Sequence, residues 1–478
     1  MTDATMPSPS DPLWRWSATR LARAIAAREI SSREAVTSCL ERIEQVNPVL
    51  NALVDVSADE ALEAADVADR MVAQGRALGP LHGVPTSMKV NTDEAGKATT
   101  NGVVAHADAI AHADSATAAN LRRAGAVLVG RSNVPAFSFR WITDNELHGR
   151  TLNPWDATRT PGGSSGGASA AVAGGMVPVA HGNDIGGSIR YPAYACGITG
   201  LRPSAGRIAS SGVEGLDLPV SAYLFAVEGP LARSVDDLRL AYQGMLGHDP
   251  RDPFYAHGAA APVSRHARRV GLLRTVGVAD PTPEVDAALD QAAEALRSAG
   301  YEVDEIELPL LAEAYRLWYL LAVEEIRQIK PMLDSLGGKS LQIALEGTFA
   351  CAEDWWGPAP TLADFIAGYA RRNSLIVQLA TFMEEYPLVL LPVSAEQAFE
   401  QDADLAGVER ARRLAAAQWS QMAIPLLGFP ALAVPTGVAG GLPTGVQLLG
   451  RRFDEAALFD AGAAIEARVG VFTPIDPR

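Results

Sequence analysis

Cysteine is rare in this chain, with three in 478 residues. Cys39, Cys196 and Cys351 are odd in number and lie far apart, which is typical of reduced thiols rather than of a disulfide framework. The first eleven residues have neither the basic start nor the apolar stretch of a signal peptide. No uncharged apolar run reaches about 18 residues. These absences predict a cytoplasmic protein without a membrane span, and residues 1–11 are expected to be a mobile tail.

Positive charge is also in short supply. Lysine and arginine number 40 against 56 aspartates and glutamates, which gives a formal net charge of −16. Phosphate binding needs clustered lysine and arginine, so no nucleic-acid partner is expected. Because 48% of the residues are hydrophobic and 20% are charged, the chain can bury a large core and is not expected to be disordered.

Histidine is absent after His266. His106 and His112 are six residues apart, off one helical face, and no H-E-x-x-H motif occurs, so no metal is expected. The run PGGSSGG at 161–167 fits the G-x-S-x-G nucleophile elbow, whose triad ends in a late histidine. The elbow is therefore the weaker interpretation of that run.

Apolar spacing alternates between helical and strand periods. Residues 17–56 predict helices, with Ser31 and Glu34 as a capping box, and LHGVPTSMKV predicts a strand with Lys89 near its end. Residues 268–308 have a β-α-β pattern, and 309–385 are mostly helical. This alternation predicts an α/β fold with a mixed or mostly parallel sheet covered by helices. The aromatic side chains of the helical stretch are expected mostly in the core, with a pocket wall as the alternative for a few of them: Trp318, Tyr319, Trp355 and Trp356.

Three segments carry side chains suited to hydrolysis: GVPTSMKV with Lys89, PGGSSGG at 161–167, and GNDIGGSIR at 182–190. A serine hydroxyl must lose its proton as it attacks, and lysine can accept that proton only when neutral, a state that burial favours. The glycines of PGGSSGG permit a rigid turn that presents Ser164 or Ser165. Taken singly, the segments also fit a solvated lysine, a flexible linker and an ordinary turn.

The third segment suits the stabilisation of negative charge. Gly186 and Gly187 precede Ser188, and consecutive glycines let backbone N–H groups converge on one point, as an oxyanion hole requires. Asp184 and Arg190 flank this loop and are expected to pair across it. The chain therefore contains a candidate hydrolytic centre that needs no histidine.

Together these segments resemble the amidase signature family. The resemblance runs from GVPTSMKV through PGGSSGGASAAVAGG and GNDIGGSIRYPAYACGITGLRP to FPALAVPTG and GLPTGVQLLGRRFDE. It implies the amidase signature fold, a large mixed central β-sheet covered on both faces by α-helices. It also implies a single amidase domain over 12–478, with a signature core at about 80–210 and a variable, pocket-forming helical region at about 309–385.

The resemblance also implies roles in a Ser–cisSer–Lys triad. Ser188 would be the nucleophile that forms an acyl-enzyme, Ser164 the bridging serine after a cis peptide bond from Gly163, and Lys89 the base. Ser138 and Gly163 would contact the substrate, and Asp184 and Arg190 would support the loop. The backbone amides that would hold the oxyanion are those of Ile185, Gly186, Gly187 and Ser188.

The sequence departs from the family pattern in a few places. Asn183 stands where many members carry threonine, and GASAA stands where GSAAA is common. Neither departure is expected to touch the triad. The segment 133–156 differs from the corresponding text of the A subunits of glutaminyl-tRNA amidotransferases.

The function implied is an amidase that hydrolyses the C–N bond of a small or lipophilic carboxamide and releases a carboxylate plus ammonia or an amine. No cofactor is called for, and the resemblance favours a homodimer. Two alternatives stay open: an amidotransferase A-type subunit that supplies ammonia to an aminoacyl-tRNA, and a non-catalytic anion-binding or scaffold protein. The substrate is left open among aryl, fatty and amino-acid amides and esters.

Overall fold

The computed structural model describes residues 11–210, 217–258 and 268–478. Of the tail predicted over 1–11, only Asp11 is therefore described, and His266 also lies outside these ranges. The α-helices are α1 (Ala18–Ala26), α2 (Ser32–Leu50), α3 (Ala58–Ala73), α4 (Ala116–Arg123), α5 (Gly166–Ala173), α6 (Arg190–Cys196), α7 (Val220–Phe225), α8 (Val235–Met245), α9 (Pro283–Ser298), α10 (Leu310–Leu336), α11 (Gly338–Trp356), α12 (Leu362–Phe382), α13 (Val408–Ala417), α14 (Trp419–Leu427) and α15 (Glu455–Val469). The strands are β1 (Leu53–Val56), β2 (Pro85–Lys89), β3 (Val127–Ser132), β4 (Val179–Asp184), β5 (Thr199–Arg202), β6 (Val227–Ala232), β7 (Arg269–Leu272), β8 (Glu302–Glu305), β9 (Leu388–Pro392), β10 (Ala431–Ala439) and β11 (Leu442–Gly450).

All these strands form one sheet, in the order β1-β3-β2-β4-β6-β5-β10-β11-β9-β7-β8. Strand β2 runs parallel to β3 and β4, and β7 runs parallel to β8 and β9. The other neighbours are antiparallel. The mixed sheet is confirmed, whereas a mostly parallel one is wrong. One reason is the β10–β11 hairpin, whose two-residue turn is Gly440-Gly441 with φ of +59° and +84°, angles that favour glycine.

Successive strand residues belong to different hydrophobic cores. In β3, Leu128 packs in a core with residues of α4, α8, α9 and α15. Its neighbours Val127 and Val129 pack in another core, with residues of α2, α5 and α6. Since successive side chains of a strand point to opposite faces, helices cover both faces of the sheet. A third core joins β9 to α10, α11, α12 and α14.

Several local predictions are confirmed. The side chains of Ser31 and Glu34 form the capping box of α2, and β7-α9-β8 is the expected β-α-β unit with parallel strands. The helical stretch 309–385 contains α10, α11 and α12. The core prediction holds for Tyr319 but is wrong for Trp355, which is 45% exposed. In the described ranges, none of the helices has the length and apolar character needed to cross a membrane.

Candidate active site

Lys89 is the last residue of β2, the third strand from one edge of the sheet, and its side chain is fully buried. Its Nζ lies 2.7 Å from Ser164 Oγ and donates a hydrogen bond to Asn183 Oδ1 at 2.6 Å. Burial lowers the pKa of Lys89 to about 7, although the carboxylates of Glu228 and Asp184 oppose that shift. At neutral pH a large fraction of this amine is therefore uncharged and able to accept a proton.

Ser164 lies in the turn that precedes α5. The Gly163–Ser164 peptide bond is cis, as the resemblance implies. Gly163 packs against backbone, because a Cβ there would lie 2.3 Å from the carbonyl oxygen of Arg140. Ser164 is buried, and the N–H of Ser165 donates to the carbonyl oxygen of Ser188 at 3.1 Å. The two glycine-rich loops are thus joined directly by backbone.

Asp184 organises the second loop from the end of β4. Its carboxylate accepts hydrogen bonds from the N–H groups of Gly187 at 3.0 Å and Ile189 at 3.3 Å, and from Arg190 Nε at 2.9 Å. Burial alone would raise the pKa of Asp184, but Arg190 and Arg202 lower it to about 2. The carboxylate therefore stays ionised and fixes the curvature of the loop that leads to Ser188.

The four amides expected to hold an oxyanion differ in availability. The N–H of Gly187 is already taken by Asp184 Oδ1, so Gly187 does not fit the predicted four-donor set. Within the described residues, no hydrogen bond is donated by the amides of Ile185, Gly186 or Ser188. These three amides are the ones open to a ligand.

A cavity of about 390 Å³ opens over these groups. Ser164, Ser188 and Ser138 line it, and Gly163 is not among its lining residues in the described part of the chain. Its apolar walls include the aromatic side chains of Phe137, Phe139, Trp141 and Trp318. Polar side chains line other parts of the cavity, among them Glu228 and Glu325. A cavity of this size with both aromatic and polar walls is suited to a small ligand that has an apolar part and a polar part.

The sequence model of the amidase family matches residues 34–459. The chain belongs to the amidase family. It is 41% identical to the indoleacetamide hydrolase of Bradyrhizobium diazoefficiens over 471 residues, which cover 97% of this chain and 88% of that protein. This amidase is thus a hydrolase that acts on amides.

Two further relatives place this amidase in a broader group. The A subunit of the glutamyl-tRNA(Gln) amidotransferase of Chloroflexus aurantiacus is 33% identical, over 93% of this chain and 94% of the relative. The crystal structure of a bacterial aryl acylamidase superposes with a TM-score of 0.81 at 27% identity, covering 97% of this chain and 98% of that one. The transferase is more distant in sequence than the indoleacetamide hydrolase, so the hydrolase interpretation is favoured over the amidotransferase alternative.

The expectation that Asn183 does not touch the triad is wrong. Besides accepting from Lys89, Asn183 forms a reciprocal amide pair with Asn91: Asn183 Nδ2 donates to Asn91 Oδ1 at 3.1 Å, and Asn91 Nδ2 donates to Asn183 Oδ1 at 3.3 Å. Asn91 Nδ2 also donates to Ser138 Oγ at 3.1 Å. Because an amide oxygen only accepts, it holds one N–H of the amine and leaves the lone pair of the neutral form free for Ser164.

Two residues near the amidase triad carried no signal in the sequence. His181, within β4, accepts at Nδ1 from the backbone N–H of Lys89 at 3.4 Å. Its Nε2 lies 2.6 Å from Glu228 Oε2, and Glu228 lines the cavity. Neither residue belongs to a motif. Their proximity to Lys89 could be recognised only once β6 was known to pair with β4.

Proposed function

We propose that this amidase hydrolyses the primary amide of an arylacetamide of the indoleacetamide type through an acyl-enzyme on Ser188. The name of the 41% identical relative supports the substrate class. The cavity supports it independently, because Phe137, Phe139, Trp141 and Trp318 offer aromatic faces and edges to a planar ring. The amide group of such a substrate would lie at the polar floor with Ser188.

The observation that carries the mechanism is the buried Lys89 beside Ser164, with its pKa lowered to about 7. As Ser188 Oγ attacks the amide carbonyl carbon, its proton passes to Ser164 Oγ while the proton of Ser164 passes to the neutral Lys89 amine. The carbonyl π electrons move to oxygen, and the open amides of Ile185, Gly186 and Ser188 would stabilise that oxyanion. Electrostatic stabilisation of this kind contributes about 10²–10³ in rate per donor.

Collapse of the tetrahedral intermediate breaks the C–N bond. The proton held by Lys89 returns through Ser164 to the leaving nitrogen, which departs as ammonia and leaves the acyl ester on Ser188. A water molecule then attacks the ester with the same Lys89–Ser164 pair as base, and the carboxylate product is released. Lys89 therefore takes up one proton and gives it back during acylation, and does so again during hydrolysis of the ester.

Other expectations stay proposals alongside this mechanism. We propose a cytoplasmic location, which the free and buried state of Cys39, Cys196 and Cys351 supports. On the grounds given for the sequence, we also propose a homodimer, the absence of nucleic-acid partners, contact of Ser138 with the substrate, and a single domain over 12–478 with its two subdivisions. Contact of Gly163 with the substrate is not proposed, because Gly163 does not line the described part of the cavity.

The test compares the release of ammonia from indole-3-acetamide, a fatty amide and glutamine with the release of aniline from an anilide. Indole-3-acetamide should have the highest kcat/KM, and Ser188→Ala should abolish both turnover and the mass increase of a trapped acyl-enzyme. Ser87→Ala is the matched control. This hydroxyl is buried on the same strand as Lys89 and has no hydrogen-bond partner among the described residues, so its loss should leave activity intact. Full activity in Ser188→Ala would refute the mechanism, and preference for another amide would refute the substrate class.

A further inference from the structure

Two tryptophan side chains from distant parts of the chain meet the loop that precedes Ser188. Trp318, in α10, donates from Nε1 to the carbonyl oxygen of Ile185 at 3.1 Å. Trp141, in the loop after β3, donates from Nε1 to the carbonyl oxygen of Gly186 at 2.8 Å. We infer that these two indoles are positioning residues that orient the oxyanion-binding amides. The inference rests on the acyl-enzyme mechanism proposed above, but not on the identity of the acyl group.

The geometry of the peptide unit carries this inference. Within the described residues, the cis peptide bonds are Gly163–Ser164 and Thr473–Pro474, so the units at 185–187 are trans. In a planar trans peptide, the C=O of one residue and the N–H of the next point in opposite directions. Trp318, by holding the carbonyl of Ile185, therefore fixes the N–H of Gly186 on the opposite side. That amide is one of the three with no other hydrogen bond among the described residues.

The next peptide unit is fixed at both ends. Trp141 holds the carbonyl oxygen of Gly186, and Asp184 Oδ1 accepts the N–H of Gly187 at 3.0 Å. Gly187 has a φ of +94°, an angle that favours glycine, and a Cβ there would lie 2.5 Å from Gln421 Oε1. This unit serves as the anchor from which the Gly186 amide is directed and Ser188 is presented.

External support is needed here because glycine can adopt a wider range of backbone angles than any other residue. The Trp318 ring also packs over Gly186, since a Cβ on that residue would lie 3.5 Å from Trp318 Cζ2. An oxyanion hole is effective only when its donors are oriented before the charge develops. A hydrogen bond accepted by the Ile185 carbonyl also polarises the peptide and strengthens its N–H as a donor.

Both indoles also line the cavity, so a role in binding the substrate must be separated from a role in positioning. Trp318→Phe and Trp141→Phe keep an aromatic wall but remove the N–H. We expect kcat to fall about tenfold in each variant, with KM within about twofold, because the lost interaction acts on the transition state. Benzothienylalanine at position 318 retains the fused ring and lacks the N–H, so it should reproduce the kcat loss even if the phenylalanine variant folds poorly.

Binding of inhibitors gives a second readout. Benzylboronic acid forms a tetrahedral anion on a serine nucleophile, whereas indole-3-acetate binds as a ground-state product. The Ki of the boronic acid should rise by the same factor by which kcat falls, and the Ki of the acetate should stay constant. A rise in KM alone, or an equal loss of affinity for both inhibitors, would overturn the inference. The two indoles would then serve only as part of the cavity wall that binds the substrate.

Trp356→Phe is the matched control, because Trp356 Nε1 donates to the carbonyl oxygen of Arg316 at 2.8 Å and does not line the described cavity. Its kcat and both Ki values should equal those of the parent enzyme. If the parent enzyme cleaves a different amide, the same comparison is made with that amide, so failure of the substrate proposal leaves this test intact. The acyl-enzyme mechanism itself fails if the parent enzyme hydrolyses an amide but shows neither a trapped acyl-enzyme nor inhibition by the boronic acid that matches the cleaved acyl group.

Discussion

At the scale of single residues, the proposed mechanism makes activity depend on the ionisation of Lys89. That mechanism requires the neutral amine, and burial brings the pKa of Lys89 down to about 7. Asn183 and Ser164 hold the amine in place and carry no negative charge that would favour its protonated form. Activity should therefore increase as the pH rises through about 7, where the protonated fraction of Lys89 declines.

Glu228 sets the position of that rise. Its negative charge favours the protonated amine and so raises the pKa of Lys89. In Glu228→Gln this charge is absent, the pKa of Lys89 falls further, and the acidic limb of the kcat/KM profile for indole-3-acetamide should move to lower pH. Profiles recorded between about pH 5 and 9 measure the displacement.

Glu325→Gln is the control for this measurement. Glu325 also lines the cavity, where it accepts from the N–H of Ser221 at 2.9 Å, but its charge is not among the causes of the Lys89 shift. Its acidic limb should coincide with that of the parent enzyme. A limb that moves equally in both variants, or moves upward in Glu228→Gln, would contradict the assignment of Lys89 as the base.

At the scale of elements, the loop between β4 and α6 is held by a buried ionic cluster. Asp184, Arg190 and Arg202 are all nearly or fully buried, and Arg190 also donates to Gln447 Oε1 at 3.0 Å. Arg202 Nη1 donates to the carbonyl oxygen of Asp184 as well as approaching its carboxylate. The carboxylate is thus the common partner of two guanidinium groups inside the core.

Asp184→Asn should lower the free energy of unfolding by about 3–5 kcal/mol, because it leaves two buried arginines without their counter-charge. Activity should fall as well, since the amide of Gly187 loses a carboxylate acceptor. Urea unfolding measures the first effect. Asp460→Asn removes the partner of Arg239 in an exposed pair and should change stability little. Equal stability of the two variants would show that the cluster is not what holds the loop.

The sequence predicts the elements around the candidate active site, but not the contacts between distant parts of the chain. The helical and strand periods locate β2, α5 and β4, and the glycine-rich motifs mark the loops of Ser164 and Ser188. The contacts of Trp141 and Trp318 with the second loop span 45 and 133 residues along the chain, and no periodicity encodes such pairings. The link from Lys89 to Asn183 likewise requires β2 and β4 to be neighbours, which follows from the order of the whole sheet.

At the scale of the whole molecule, one chain supplies every group that the proposed mechanism uses. The residues of the triad come from β2, the turn before α5 and the loop after β4, and α10 adds a wall of the cavity. The amidotransferase alternative would instead need partner proteins and a tRNA, to which a net charge of −16 gives no general attraction.

The purified chain alone should therefore release ammonia from indole-3-acetamide, at a rate proportional to enzyme concentration and without ATP or tRNA. Glutamine should be a poor substrate, because its charged α-amino and carboxylate groups would lose water against the aromatic walls of the cavity. Arg140, which also lines the cavity and could attract the carboxylate, is already paired with Asp404. Ammonia quantification with both amides makes the comparison. Activity that appears only after addition of the other amidotransferase proteins would favour the alternative.

The dual placement of Trp318 limits how readily this scaffold can be given new specificities. A protein engineer who wished to admit bulkier acyl groups would naturally shorten this indole, since it stands on the inner surface of α10. The same cut would remove the support of the Ile185 carbonyl. Enlarging the pocket here would thus admit more acyl groups at the cost of a lower kcat. A successful redesign would need another hydrogen-bond donor on α10 for the Ile185 carbonyl.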